Sequence, residues 1–362
     1  MKSSSGKGTA TAVKRKRRAE SLRGNSAPDL RTGSPRLGRE DGLVAGVDIG
    51  ASNLRVALAD RDGDVLGRWN TSTKATSSPH MVVAQIGQGV NYLLSQLSCS
   101  RRSLLSVAAG APGVTDPQAG VVLATSYLKG WKDVPLRQLL ESTLSVPAAV
   151  ENDVRMAALG EHWIGAARGV DDFVFLAIGT GIAAGVFANG KLIRGTNWTA
   201  GEVGYMHVPH ASGSPARHGE PGSLESIIAG DGIRRQWLNT CGGDACAKNL
   251  TATDIFSRAS DGDPMAKTVL EHSAQLLAYA VYNISLVLNS ALFILGGGVG
   301  VSIPLCDATR RILERYNEPS CPQLVISKLG TDAQLMGAIR LALTTAEQPF
   351  RNQSDSLKGS LA

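Results

Sequence analysis

The stretch Leu43-Val44-Ala45-Gly46-Val47-Asp48-Ile49-Gly50-Ala51-Ser52-Asn53-Leu54 decides the fold. Leu43 to Val47 is a short apolar run of the kind a buried strand shows. A glycine loop, Asp48 to Asn53, follows, and a second strand is predicted over Leu54 to Ala59. Arg61-Asp62-Gly63-Asp64 supplies a turn, and Val65 to Trp69 returns as a third strand. The same grammar recurs further on. Phe173 to Ile178 reads as a strand, Gly179-Thr180-Gly181-Ile182-Ala183-Ala184-Gly185 as its loop, and Val186 to Ala188 extends again. Asn189-Gly190 then turns the chain into Lys191-Leu192-Ile193. Two units of strand, glycine loop, strand, turn and strand imply two related α/β domains that face each other.

Helical periodicity fills the intervals, at roughly 80–97, 153–166, 223–238, 264–289, 302–317 and 332–345. Strands alternating with helices place the chain in the α/β class. The expected domains are a small one, 42–151 plus 332–345, and a large one, 152–331. Residues 1–41 are expected to be a disordered basic tail and 346–362 a flexible C-terminal tail.

The 362 residues are 43% hydrophobic and 19% charged, a globular profile that excludes a wholly disordered or fibrous chain. Gln275, Asn283 and Ser285 interrupt the longest apolar stretch, Ala274 to Leu288, so no membrane span is expected. The net charge of +6 sits in the tail: residues 1–41 carry 11 Lys/Arg against 4 Asp/Glu, and the rest 26 against 27. That tail has no aromatic residue and is expected to be solvated, with contact to nucleic acid as the sharper reading. Cys99, Cys241, Cys246, Cys306 and Cys321 are scattered and odd in number, which fits a reducing compartment. No apolar segment follows Lys14-Arg15-Lys16-Arg17-Arg18, so a cytoplasmic protein is the expectation.

The glycine loops point to phosphate. Gly lets the backbone approach a ligand closely, so that N–H groups can aim at phosphate oxygens. A dinucleotide-binding loop opens directly into a helix, whereas both loops here run into strands. No GxxxxGK[ST] stretch exists. Ser52, Asn53 and Thr180 can add hydrogen bonds, and Asp48 at a strand end suits a water or Mg²⁺ shared with phosphates. A third cluster, Gly296-Gly297-Gly298, ends the strand Leu292 to Leu295, where ligands of open α/β sheets lie. The strand Val146 to Val150 ends at Glu151-Asn152-Asp153 and a helix follows. Asp153 there reads either as an N-cap or as a base for a substrate hydroxyl.

With these residues assembled, the chain resembles the ROK family of sugar kinases and regulators. The resemblance runs from about Gly46 to Thr344. It rests on Asp48 to Asn53, Gly110-Ala111-Pro112-Gly113, Gly130-Trp131, Glu151-Asn152-Asp153, Gly179-Thr180-Gly181-Ile182, Gly201-Glu202-Val203-Gly204 and Leu295 to Gly298. It implies duplicated actin-like ATPase (ribonuclease H-like) domains with an interdomain cleft, and phosphorylation of a hexose, glucose foremost, at its 6-hydroxyl with ATP and Mg²⁺. A homodimer is implied too. The resemblance makes Asp153 the catalytic base and Asn152, Glu202, Tyr205 and Glu225 the sugar-binding residues. It gives the phosphates to Asp48, Gly50, Ser52, Asn53, Gly179, Thr180 and Gly181, and the adenosine side to Gly296, Gly297 and Gly298. The bland readings are a surface charge for Glu202 and, for Glu225, a first-turn partner in a helix capped by Ser223.

Several positions depart from the family pattern. Zinc-containing members carry a His and a C-x-C-G-x-x-G-C-x-E cluster. Here Tyr205 replaces the His, and Ala216 to Glu225 keeps the spacing and the final Glu without any thiolate, so no zinc is expected. A substitute site from His207, His210, His218 and Cys241 or Cys246 is disfavoured, because Pro209 and the glycines suggest an open loop. Ser126 stands where many members have Asn, Arg155 where a small or amide residue is common, and Ala183-Ala184 replaces loop glycines. The rival function is a non-catalytic, sugar-responsive transcriptional regulator with the tail as a DNA arm. Polyphosphate is the alternative phosphate donor.

Overall fold

The computed structural model describes residues 42–73, 78–208, 223–242, 249–316 and 321–347. The expectations for both tails therefore lie outside the described residues, apart from Ala346, which ends the last helix, and Glu347.

In the first half the chain forms β1 (Leu43–Ile49), β2 (Asn53–Ala59), β3 (Val65–Ser72), α1 (Pro79–Gln96), β4 (Leu104–Ala111), β5 (Val114–Asp116), β6 (Val121–Ala124), β7 (Lys132–Val134), α2 (Leu136–Leu144), β8 (Ala148–Asn152) and α3 (Asp153–Ile164). The second half continues with β9 (Phe173–Ile178), β10 (Ile182–Ala188), β11 (Lys191–Ile193), α4 (Glu225–Ile228), α5 (Gly230–Thr240), α6 (Ala252–Ser260), α7 (Pro264–Leu288), β12 (Leu292–Gly296), α8 (Gly297–Gly300), α9 (Ile303–Glu314), β13 (Gln323–Ile326) and α10 (Ala333–Ala346).

Two five-stranded sheets share one topology. Their orders are β3-β2-β1-β4-β8 and β11-β10-β9-β12-β13. In each, the first three strands form an antiparallel meander, and two further strands join in parallel beyond the first. β1 is buried along its whole length, as expected of a strand packed on both faces. Asn189 and Gly190 both adopt positive φ, 52° and 68°, the geometry of a tight hairpin turn. A small sheet, β5-β6-β7, branches off between β4 and β8.

The sheets meet at helices. α3 leaves the first sheet and packs on β9 and β10 of the second. α10 packs on α3 and on β1 and β4. The α3–α10 crossing is backbone on backbone: a Cβ on Gly160 would strike the Ala333 carbonyl, and one on Gly337 the Met156 carbonyl. Sequence signals explain the helix starts. Ser78 precedes Pro79 and accepts from Met81 N, and Asp263 precedes Pro264 and accepts from Met265 N and Ala266 N.

One predicted helix is wrong. The span 223–238 is two helices, α4 and α5, broken at Ala229, which is extended at φ −75°, ψ 167°. The break frees Gly230 N–H to donate to the Gly179 carbonyl at 2.8 Å. Ser223 is not a cap either. The residue before α4 is Leu224, with no side-chain cap, and the Ser223 hydroxyl accepts from Val208 N. No helix among the described residues is long and apolar enough to cross a membrane.

Candidate active site

β8 ends where α3 begins, and this junction fixes Asp153. Asn152, not Asp153, is the N-cap: its Oδ1 accepts from Val154 N and Arg155 N, both at 3.0 Å. Its Nδ2 donates to the Gly113 carbonyl and to Asp153 Oδ1, each at 3.0 Å. Asn152 thus spends its side chain on holding the junction and Asp153. Asp153 Oδ1 also accepts from Val154 N at 2.9 Å. The carboxyl also accepts from its own backbone N–H, and no other residue among those described is hydrogen-bonded to Oδ2, so one oxygen is anchored and the other open to a substrate. The carboxyl is pushed up to about 7, first by removal from water, then by the negative charge of Asp48 and, more weakly, of Glu202.

Asp48 closes β1 on the same side. It is 7% exposed and ion-paired with Arg55 of β2, whose Nε and Nη2 lie 2.8 and 2.7 Å from Oδ2. Burial raises its pKa, and Arg55 opposes the rise. Arg55 Nη1 donates to the Thr331 carbonyl at 2.6 Å, which ties the pair to the segment ahead of α10.

The two loops are closed internally. Gly50 N–H donates to the Asn53 carbonyl and Gly179 N–H to the Gly181 carbonyl, both at 2.9 Å. Those two N–H groups are therefore not free for phosphate. The N–H groups of Ala51, Ser52, Thr180 and Gly181 have no partner among the described residues, and the side chains of Ser52, Asn53 and Thr180 are exposed. Ala183 and Ala184, which replace glycines of the family's loop, lie inside β10, beyond the turn. In the third cluster the roles divide. Gly296 packs against the Phe175 ring, where a side chain would clash. Gly298 is exposed, has open space where a Cβ would stand, and its backbone nitrogen lies beside Gly179.

The second lobe supplies Glu202 and Glu225. Glu225 opens α4, and its Oε2 accepts from Ile182 N at 2.8 Å, just after the second loop. Burial raises its pKa. Glu202 is exposed and follows Gly201, whose φ of 95° brings it so close to the Ala184 carbonyl that a Cβ has no room. Tyr205 is 39% exposed beyond it.

A buried ionic network holds the Glu202 loop to the Asp153 junction. Glu151 is 1% exposed and takes Arg194 Nε on Oε2 at 2.7 Å and Arg155 Nε near Oε1 at 2.9 Å. The Arg155 contact is an ion pair without hydrogen-bond alignment at Nε. Arg155 Nη1 donates to the Trp198 carbonyl at 3.0 Å. The unusual Arg155 thus braces the 194–202 loop. A cavity of about 440 Å³ behind β8, which Glu151 and Arg194 also line, lies on the far side of this network and contains none of the Asp153, Asp48 or Glu225 carboxylates.

Sequence reasoning missed Tyr127. It singled out Ser126, the exposed neighbour. The Tyr127 hydroxyl instead feels the charges of Glu225, Asp153 and Glu202, and a Cβ on Gly181 would touch both it and Glu225 Oε2. The available signal was an aromatic residue four positions before Trp131 in the Gly130-Trp131 element.

Residues 44–345 match the profile of the ROK family. The chain belongs to that family. A glucokinase from Halalkalibacterium halodurans is 30% identical over 312 residues, covering 82% of this chain and 94% of that enzyme. A β-glucoside kinase from Klebsiella pneumoniae is 27% identical, covering 82% and 94%. Among solved structures, a ROK family glucokinase from Streptomyces griseus in complex with glucose and AMPPNP superposes with a TM-score of 0.70 at 26% identity, over 84% of this chain and 100% of that one. The fold of this ROK protein is the actin-like ATPase fold, and sugar kinases and regulators both occur among its relatives.

Among the described residues no group of three His, Cys, Asp and Glu side chains could hold a metal ion. Most of the segment that corresponds to the family's zinc cluster, including His210, Ala216 and His218, lies outside them. Mg²⁺ needs less, because it keeps its waters and is held by one or two carboxylates and by phosphates. Asp48, whose Oδ1 is not engaged by Arg55, fits that mode.

Proposed function

We propose that this protein is an ATP-dependent hexose kinase that transfers the γ-phosphoryl group to the 6-hydroxyl of a hexose, glucose being the first candidate. The observation that carries the reading is Asp153: an anchored carboxylate with one free oxygen, in electrostatic contact with Asp48 of the first lobe and Glu202 of the second.

Asp153 Oδ2 accepts the proton of the 6-hydroxyl as that oxygen bonds to the γ-phosphorus. The bond from the γ-phosphorus to the β–γ bridging oxygen breaks, and ADP leaves with the electron pair. A carboxylate titrating near neutrality is matched to this task better than an ordinary Asp. Phosphoryl transfer asks more of orientation and charge stabilisation than of proton abstraction. The N–H groups of Ala51, Ser52, Thr180 and Gly181 are the donors for phosphate oxygens. Bound with ATP, Mg²⁺ would neutralise phosphate charge, and Asp48 is the residue to hold its hydration shell. Glu202 and Glu225 accept sugar hydroxyls, Tyr205 borders the sugar, and Asn152 acts through Asp153. Gly297 and Gly298 line the approach of the adenosine.

The test is ADP release across glucose, mannose, allose and N-acetylated hexoses, for the wild type and Asp153→Asn, with polyphosphate replacing ATP in a parallel arm. Turnover with one hexose, lost in the variant, is expected. No turnover with any hexose, together with salt-dependent DNA binding, would establish the regulator instead.

A further inference from the structure

We propose that Tyr127 is a specificity-determining residue: its ring bars the acceptor pocket so that a free hexose enters while a hexose with a bulky aglycone is kept out. The inference rests on the sugar-kinase reading of the cleft and names the substrate class within it.

The loop after β6 is built to project this one side chain. Leu128 and Trp131 on the same loop are 1% and 2% exposed and anchor it in the core of the first lobe. Tyr127 N–H donates to Thr125 Oγ1 at 3.1 Å, which fixes the backbone at the tip. Tyr127 itself remains 41% exposed. Its reach is read from the opposite wall. A Cβ on Gly181 would lie 2.5 Å from the Tyr127 hydroxyl and 2.8 Å from Glu225 Oε2. A side chain rooted in the first lobe therefore crosses the cleft to the second glycine loop and borders the same point as Glu225.

The chemistry suits a sugar without extra bulk. Tyr offers an apolar body and a polar tip. Carboxylates take the hydroxyls of a pyranose, and an aromatic ring covers a C–H face. Burial first, and then the negative charge of Glu225, Asp153 and Glu202, push the Tyr127 hydroxyl up to about 12, so it is a neutral donor near neutral pH. An aglycone would need the volume the ring occupies. Exclusion by such a clash discriminates between substrates that share every other contact. Glucokinases and β-glucoside kinases both occur among the relatives, and the size of the acceptor is what separates those two activities.

The experiment compares the full-length wild type with Tyr127→Ala and Tyr127→Phe on glucose and on phenyl β-D-glucoside, with ATP. The ratio of kcat/KM for glucoside to that for glucose should rise by about tenfold or more in Tyr127→Ala. Tyr127→Phe keeps the ring, so it should keep the wild-type ratio while raising the KM for glucose. An unchanged ratio in Tyr127→Ala, or a Phe variant as permissive as Ala, overturns the proposal. Tyr127→Leu carries the same test if the Ala variant does not fold. Calorimetric binding of both sugars, with and without Tyr127→Ala in an Asp153→Asn background, separates the two readings. A preference for glucose that Tyr127→Ala abolishes, in a protein that turns over no sugar, defeats the kinase and keeps the bar. Binding of neither sugar, or an unaltered preference, defeats the bar.

Discussion

The two glycine loops hold equivalent places in sheets of identical topology, yet they are equipped differently. The first turn is closed from Gly50 to Asn53 and the second, more tightly, from Gly179 to Gly181. The first has its charge built into its own strands, Asp48 on β1 and Arg55 on β2, joined to the segment before α10. The second has none on β9 or β10. It borrows Glu225, which lies 43 residues after the Ile182 N–H it accepts from, and the Gly230 N–H, delivered by the break between α4 and α5. Duplication supplied a backbone that presents N–H groups twice. The charge that separates the sides came from strand residues on one side and from distant helix starts on the other. Asp153 stands between them and feels both Asp48 and Glu202.

Removing the charge between the loops should have the largest effect. Asp153→Asn preserves the shape and the hydrogen bond from Val154 N, so the fold and sugar binding should survive. kcat should fall by about 10²–10⁴, the usual contribution of general acid–base catalysis. Steady-state kinetics with calorimetric glucose binding checks both halves; a variant that retains kcat would remove Asp153 from the chemistry.

Next comes the pair peculiar to the first loop. Arg55→Ala leaves Asp48 largely buried without its cation, and breaking a buried pair from one side costs about 3–5 kcal/mol. Arg55 is 22% exposed at its side chain, so a value at or below the lower end is expected, read from urea unfolding. Deleting both charges in Arg55→Met with Asp48→Asn should recover part of the loss. If the double variant is no more stable than the single one, the pair is not what stabilises this loop.

How much of this was legible in the sequence follows from the same contrast. The loops, their flanking strands and the Asn189-Gly190 turn are local, and periodicity with turn chemistry revealed them. The junction at Asp153 was legible, but the sequence left Asp153 open as a cap or a base where Asn152 is the cap, because Asn and Asp are equally good caps. β5, β6 and β7, at three or four residues each, are too short for alternation to show. α6 was missed although Thr251 and Asp254 form a capping box. The break at Ala229 and the reach of Tyr127 are tertiary: Gly179 decides the one and Gly181 the other, and neither is near in sequence.

Added methyl groups sharpen the comparison more gently. A Cβ on Gly50 would meet the Asn53 carbonyl at 2.9 Å, a backbone atom that cannot yield without opening the turn. The Cβ of Gly181→Ala would meet only side-chain ends, the Tyr127 hydroxyl and Glu225 Oε2. Gly50→Ala should therefore raise the KM for ATP by about tenfold, equivalent to 1.4 kcal/mol. Gly181→Ala should act mainly on the KM for the sugar, by less. Equal effects on both substrates would mean that the loops are not specialised.

The smallest effect expected is a pH dependence of stability, and it reads the field between the loops directly. Asp153 titrates near 7 in the folded protein against an ordinary 3.8. Between those values the folded state binds the extra proton, so stability from this group is present in full below about pH 4 and is lost as pH rises toward 7. Asn carries no such charge. The melting temperature of Asp153→Asn should exceed that of the wild type by a few degrees at pH 8, and the gap should narrow at pH 5. Asp48 is a larger contributor to the raised value than Glu202. The gap at pH 8 should shrink more in an Asp48→Asn background than in a Glu202→Gln background. If Glu202→Gln shrinks it more, the second lobe, and not the first, sets the charge that Asp153 works against.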